Sequence, residues 1–266
     1  MSASDLDYKA DRLQDILAQA GDFCLAVSGG LDSRFLCRFS LLRGFKPLTA
    51  FFRGPHLTPV EQSQALGWIK DQETTHIVLE ADPLILPWVA NNDQRRCYYC
   101  KRFIFEKLMS LKETQGLAIC DGSNASDMEL YRPGLQALRE LGVISPLAEA
   151  GISKDDIRAL ARVIGLDRPD QPSRPCLMTR LAYGFQGDAD ILRRLGLAED
   201  GLSSFLNSYR LRLWPEKSLL QMAESERAHW PEIKAQVEEV LRKYGFWPCE
   251  IHFDVEISGF FDLRGR

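Results

Sequence analysis

Short, wholly apolar runs alternate along the chain with stretches whose apolar residues recur at helical spacing. Phe23 to Val27 is unbroken and apolar, the pattern of a strand buried on both faces, and Leu13, Ile16 and Leu17 mark the inner face of a helix from Tyr8 to Ala20. Asp32 and Ser33 open the amphipathic segment Arg34 to Phe39, as a helix start does. Pro47 to Phe52 predicts a second strand, Pro59 to Asp71 a helix, and Thr75 to Leu79 a third strand. An irregular stretch from Asp82 to Asn92, broken by Pro83 and Pro87, leads to a helix with Phe103, Phe105, Leu108 and Leu111 on its apolar face. Leu117 to Cys120 predicts a fourth strand, followed by the polar loop Asp121-Gly122-Ser123-Asn124, which is suited to ligand contact. A helix opens at Tyr131 to Leu135, Ile144 to Leu147 predicts a short strand, and Ser153 with Asp156 forms a capping box for a helix reaching Ile164.

This alternation predicts an α/β fold with a parallel sheet flanked by helices, and ligands at the carboxyl ends of its strands. Arg53 and Glu80 stand at such ends, as solvated charges or as contacts to a ligand. The proline-rich run Asp170 to Arg180 reads as a stiff, exposed loop. From Gly187 the pattern changes to helix (Ala189 to Leu206), strand pair (Ser208 to Leu213 and Ser218 to Ala223), helix (Ser225 to Tyr244) and strand (Cys249 to Ile257). The expected division is therefore a nucleotide-type domain over 1–170, a linker loop over 171–186 and a small α+β domain over 187–266. Arg210 and Arg212 alternate with Leu211 and Leu213, so both arginines share one strand face, as solvated residues or as a phosphate clamp.

Composition narrows the setting. The 266 residues are 45% hydrophobic and 26% charged, as in a soluble globular protein, and no apolar run approaches a bilayer span. The polar start from Met1 to Asp7 lacks a signal-peptide core, so a cytoplasmic location is expected, with no membrane partner. Seven cysteines point to thiols, a metal or redox chemistry rather than a disulfide framework. Cys24, Cys37 and Cys120 lie in apolar runs and read as core. The net charge of −4 offers no general attraction to nucleic acid.

The candidate chemistry begins where the first strand turns into its helix, at Ser28-Gly29-Gly30-Leu31-Asp32-Ser33. Two glycines let backbone approach a phosphate, the first helical turn directs N–H groups at it, and Ser28 and Ser33 add hydroxyl donors. The Gly-x-x-x-x-Gly-Lys-Ser/Thr loop is absent, and this loop holds no lysine. The hexapeptide resembles the signature of PP-loop ATP pyrophosphatases. That likeness implies an adenine nucleotide alpha hydrolase-like domain in which a substrate atom attacks the α-phosphate of ATP, giving an adenylate and pyrophosphate.

Further stretches sharpen the resemblance: Arg96-Cys97-Tyr98-Tyr99-Cys100-Lys101, Tyr131-Arg132-Pro133-Gly134-Leu135, Ser145-Pro146-Leu147, Pro175-Cys176-Leu177-Met178-Thr179-Arg180 with Tyr183-Gly184, and Arg210-Leu211-Arg212. Over nearly the whole chain they resemble the ATP-dependent sacrificial sulfur transferases (LarE type), which act in synthesis of the nickel-pincer nucleotide cofactor. The resemblance implies that a carboxylated nucleotide substrate is adenylated and becomes a thiocarboxylate, that ATP is used with Mg2+, and that the protein is a homo-oligomer. It gives Asp32, Ser33 and Cys176 catalytic roles, places ATP at Ser28, Gly29, Gly30, Asp32 and Ser33, and assigns ligand contacts to Arg180, Glu199, Arg210 and Arg212. Arg174 and Arg180 stand near Cys176 in sequence and would favour its thiolate.

Two sulfur sources stay open. Cys97 and Cys100 in a Cys-x-x-Cys pair, with Cys176, fit three ligands of a 4Fe–4S cluster whose open iron carries sulfide; otherwise Cys176 itself is the consumed donor. Departures from the family are Gln221 in place of a glutamate, Leu130 in place of an acid, and an altered ending from Phe260 to Arg266. Two other readings share the loop: a PP-loop tRNA thiolase, which needs a basic surface, and a non-catalytic ATP-binding protein whose three cysteines hold zinc.

Overall fold

The computed structural model describes residues 3–129, 132–257 and 259–261. Leu130, Tyr131, Ser258 and the ending from Asp262 lie outside them, and with them the departure expected at Leu130 and most of that expected from Phe260 to Arg266. In chain order the elements are α1 (Ala3–Ala20), β1 (Phe23–Ala26), α2 (Leu31–Leu42), β2 (Leu48–Arg53), α3 (Pro59–Asp71), β3 (His76–Glu80), α4 (Pro87–Ala90), α5 (Arg96–Met109), β4 (Ala118–Cys120), α6 (Ala125–Met128), α7 (Pro133–Glu140), α8 (Pro146–Glu149), α9 (Lys154–Val163), α10 (Ala189–Leu202), β5 (Tyr209–Leu213), β6 (Ser218–Ala223), α11 (Trp230–Lys243) and β7 (Cys249–Asp254). Among the described residues no helix is long and apolar enough to cross a membrane.

The chain forms two compact units. The first takes the chain up to Arg53, then Glu61–Pro83 and Cys97–Arg174; the second takes Gly54–Val60, Leu84–Arg96 and the chain from Pro175.

In the first unit the sheet runs β3-β2-β1-β4 and every pairing is parallel. All four residues of β1 are buried, as its unbroken apolar sequence requires of a central strand covered on both faces. One layer of core joins Cys24, Ala26 and Ala50 on the sheet to Phe105, Leu108, Leu135 and Leu138 on α5 and α7. The first strands run outward in opposite directions from β1, so the carboxyl end of β1 is the switch point at which open α/β sheets take ligands. Arg34 of α2 is fully buried and ties this unit's last segment down: its guanidinium donates to Asp167 Oδ1 at 2.7 Å and Gln171 Oε1 at 2.6 Å, beside the Trp68 ring. Burial alone would raise the Asp167 carboxyl, but hydrogen bonds from Arg168 and Trp68 and the Arg34 charge hold it below its ordinary range.

The strand expected over Ile144 to Leu147 is different. Ile144 makes one parallel bridge to Cys120, and the chain then turns into α8 at Pro146. Proline has no N–H to give a sheet but suits the first turn of a helix, which ends the strand. The irregular stretch after Asp82 likewise contains a helical turn, α4, with Pro87 at its start.

The second unit carries a three-stranded sheet in the order β5-β6-β7. β5 and β6 form an antiparallel hairpin and β6 and β7 run parallel, joined through α11. Tyr209, Leu211 and Leu213 point into a core with Leu192, Leu195 and Leu202 of α10 and Val237 and Leu241 of α11. α11 begins at Trp230 rather than Ser225, because Pro231 favours the first turn and residues 224–226 form a separate 3-10 turn. The architecture is thus α/β, an all-parallel four-stranded sheet with a small C-terminal sheet.

Candidate functional site

The turn after β1 is shaped by glycine and tied by two hydroxyls. Gly29 has φ +81°, and a Cβ there would sit 2.6 Å from the Cβ of Ala65, so conformation and space both demand glycine. Ser33 Oγ accepts from the Ser28 N–H at 3.1 Å, lies 3.2 Å from Ser28 Oγ and donates to the Gly30 carbonyl at 3.2 Å. Gly30 caps α2 without a side-chain hydrogen bond, which leaves the first-turn N–H groups for an anion.

The loop after β4 closes on the same helix start. A Cβ on Gly122 would stand 3.0 Å from the Ser33 nitrogen, so that backbone approach also needs glycine. Asp121 is buried and accepts from Ser123 Oγ at 2.6 Å and Ser145 Oγ at 2.7 Å, with Lys101 Nζ at 3.8 Å. Asn124 Nδ2 donates to Asp32 Oδ2 at 3.1 Å, and Lys154 Nζ donates to Asp32 Oδ1. Sequence reasoning named Asp32 and the Asp121–Asn124 loop but missed Lys154. One signal was available: a lysine at the first residue of a helix opposes the helix dipole, so its placement calls for another partner.

At the ends of β2 and β3, Arg53 Nε donates to Glu80 Oε1 at 2.6 Å, and the two residues are register partners. The pair answers its own charge, and the Arg53 hydrogen bond holds the Glu80 carboxyl below its ordinary value.

The cysteines sort by environment. Cys24, Cys37 and Cys120 are buried, and burial pushes each thiol up to about 12, as suits core residues. Cys97 and Cys100 are half-buried and outside any disulfide, three residues apart in the first turns of α5, which places them on one helix face in the first unit. Cys176, also half-buried and free, belongs to the second unit, where it caps a 3-10 turn over Leu177–Arg180. Among the described residues no group of three or more His, Cys, Asp or Glu side chains is placed to hold a metal ion.

Around Cys176 the second unit is built from buried, mutually satisfied charges. Arg180, 2% exposed, meets Glu199 through two parallel bonds, Nε to Oε1 at 2.9 Å and Nη2 to Oε2 at 2.8 Å. Its Nη1 donates to the carbonyl of Pro175 at 2.7 Å and to Thr179 Oγ1 at 3.0 Å, gripping the backbone beside Cys176. Burial would raise the Glu199 carboxyl, but the Arg180 charge and hydrogen bonds and the Leu211 N–H hold it below its ordinary range. Arg174, in the first unit, lies 4.0 Å from Glu61.

Arg210 and Arg212 leave β5 on the face away from the core, and both are buried. Arg210 Nη1 donates to the Tyr209 carbonyl at 2.6 Å. Arg212 donates to Gln221 Oε1 through Nε at 3.1 Å and Nη2 at 3.0 Å, to the Thr179 carbonyl at 3.0 Å and to the Ile257 carbonyl. The rings of Phe260 and Phe261 lie 5.2 and 5.8 Å from its guanidinium carbon. Gln221 passes the network on, with Nε2 donating to Asp254 Oδ2 at 2.8 Å.

Comparison with known proteins adds relatives. No protein-family model matches the chain. An uncharacterized protein of Synechocystis is 32% identical over 224 residues, covering 80% of this chain and 84% of that protein. An uncharacterized protein of Methanocaldococcus jannaschii is 27% identical, with 87% of this chain and 89% of that one covered. The pyridinium-3,5-bisthiocarboxylic acid mononucleotide synthase of Lactiplantibacillus plantarum is 27% identical, with 84% and 82% covered. The chain belongs to the family of the Synechocystis protein, and the Lactiplantibacillus synthase, an enzyme, is a more distant relative.

Proposed function

We propose that the chain is an ATP-dependent sulfur transferase that adenylates a substrate carboxylate and converts it to a thiocarboxylate in nickel-pincer nucleotide cofactor synthesis. The observation that carries this reading is the serine-tied glycine turn at the sheet's switch point, with Asp32 held beside it, in a relative of a bisthiocarboxylic acid mononucleotide synthase. A carboxylate is a poor acyl donor until its oxygen becomes part of a good leaving group. In the proposed first step a carboxylate oxygen bonds to the α-phosphorus of ATP and pyrophosphate leaves with the electron pair of the broken bond. The turn's N–H groups and the α2 terminus hold the phosphates. Mg2+ arriving with ATP would neutralise the departing charge, and Asp32 would hold it.

In the second step the Cys176 thiolate attacks the acyl carbon and AMP leaves. β-Elimination, with loss of the Cys176 Cα proton, then breaks the Cβ–Sγ bond; sulfur stays on the substrate and dehydroalanine remains at position 176. Arg180 and Glu199 position this loop, and Arg210 and Arg212 hold the acceptor's phosphate. As a donor set, Cys97, Cys100 and Cys176 suit a 4Fe–4S cluster with one open iron.

The test uses the full chain, purified without oxygen and incubated with ATP, Mg2+ and pyridinium-3,5-biscarboxylic acid mononucleotide, the oxygen counterpart of the compound in the relative's name. Expected are pyrophosphate, AMP, a thiocarboxylate product and a Cys176 peptide lighter by hydrogen sulfide. ATP left intact contradicts the proposal, and product formed with Cys176 unchanged contradicts its sulfur source.

A further inference from the structure

The residue that ends α4 does more than stop a helix. Asn92 follows the last helical residues in the left-handed region, at φ +48°, and is fully buried. Glycine is the usual residue at such an end and asparagine the second choice, so the side chain calls for an explanation of its own. Its Nδ2 donates to two successive carbonyls, Leu181 at 2.7 Å and Ala182 at 2.8 Å. Those carbonyls come directly after the turn over Leu177–Arg180 that Cys176 caps. At its entry the same turn is held by the Leu177 N–H, which donates to the His56 carbonyl at 2.9 Å, and by Arg180, which takes the Pro175 carbonyl. Further along, Arg212 takes the Thr179 carbonyl, and the Ala182 N–H donates to the Leu213 carbonyl at 2.9 Å. The backbone repeats the tie, with the Gly184 N–H donating to the Asn92 carbonyl at 3.4 Å. All of these residues belong to the second unit.

We propose that Asn92 is a positioning residue for sulfur transfer: its amide fixes the exit of the Cys176 turn, and through the turn the line along which Cys176 Sγ meets the acyl carbon. The proposal rests on the reading of Cys176 as sulfur donor. In that step a bond forms between Sγ and the acyl carbon, the acyl bond to the AMP oxygen breaks, and its electron pair leaves on AMP. Bond formation of this kind is sensitive to small displacements of the nucleophile, so a turn tied at its entry but loose at its exit would present the sulfur in many positions. Adenylation at the Ser28–Ser33 loop comes before this step. The effect of losing the amide therefore falls on sulfur transfer and spares pyrophosphate release.

Two variants separate positioning from a structural role. Asn92→Gly keeps the left-handed backbone and removes the amide, and Asn92→Asp keeps the shape of the side chain but sets a carboxylate oxygen against the two carbonyls. In single turnovers of either variant, consumption of Cys176 read by peptide mass should slow roughly 10- to 100-fold, while pyrophosphate release stays within about twofold. Without substrate, iodoacetamide should alkylate Cys176 about fivefold faster in Asn92→Gly than in the unaltered chain, with half-buried Cys249 of the same unit unchanged. Buried Cys24 and Cys37, left unmodified in the same digest, report that the fold is kept. A merely structural residue would slow both steps together or quicken every cysteine. Equal slowing of the two steps, unchanged consumption of Cys176, unchanged alkylation of Cys176, or an Asn92→Asp chain that behaves like the unaltered one overturns the proposal. Pyrophosphate released by the unaltered chain with Cys176 left intact overturns the sulfur source on which it rests.

Discussion

The polar residues of the two units solve opposite problems. In the first unit Asp32 and Lys154 are partly exposed, and the α2 terminus lacks a side-chain cap, so donors and charges stand ready for a ligand. In the second unit Arg180 and Glu199 answer each other at 2% and 5% exposure, and Arg212 is wrapped by an amide, two carbonyls and two rings. The first arrangement pairs its charges at the surface, where a ligand can reach them. The second satisfies itself, so a phosphate reaching Arg212 must displace a partner such as the Ile257 carbonyl. The difference teaches where a substitution should act: on pyrophosphate release in the first unit, and, Cys176 and Asn92 apart, on stability or acceptor affinity in the second.

The largest effect is expected from Asp32→Ala, which should lower pyrophosphate release by at least ~100-fold while leaving the urea midpoint nearly unchanged. Release at the original rate would remove the loop from the chemistry. Next is Glu199→Leu. It leaves a buried guanidinium without its carboxylate and should cost about 3–5 kcal/mol in equilibrium unfolding, whereas pairing it with Arg180→Met should recover most of the loss. If the double variant is no more stable than the single one, the pair is not the source of the loss.

The same carboxylate sets a pH dependence. Its folded value lies below the ordinary ~4.3, so its contribution is complete above that pH and fades as pH falls through the lower folded value. Urea midpoints followed from pH 7 to pH 3 should drop less steeply in Glu199→Gln; equal slopes would show that other carboxylates govern acid unfolding.

A smaller and more selective effect is expected at Arg212→Ala, with KM for the carboxylated mononucleotide raised roughly tenfold and KM for ATP held within about twofold. Equal changes in both would break the division between the units. Smallest of all is Arg53→Ala: the pair with Glu80 is exposed and self-contained, so pyrophosphate release should be unaltered, and a marked loss would give Arg53 a place in ATP binding.

Much of the first unit was legible because its strands are wholly apolar and its turn chemistry is local. β1, β2 and the glycine turn follow from a few consecutive residues. The strand expected at Ile144 was lost to Pro146, a local signal that outweighed an apolar run. For Lys154 the sequence offered a helix-start lysine that calls for a partner but not which one, because Asp32 lies 122 residues away in sequence and only the fold brings them together. In the second unit, alternation placed Arg210 and Arg212 on one face but could not tell a solvated face from a buried one. Periodicity records which side a residue takes, not what covers it.

The central claim is attack of a carboxylate oxygen on the α-phosphorus at the Ser28–Ser33 loop. It is tested most directly by supplying pyridinium-3,5-biscarboxylic acid mononucleotide labelled with oxygen-18 in its carboxylates, with ATP and Mg2+, and weighing the AMP formed. The account predicts one labelled oxygen in the AMP phosphoryl group, dependent on Asp32. Unlabelled AMP, or ADP and phosphate in its place, would contradict it.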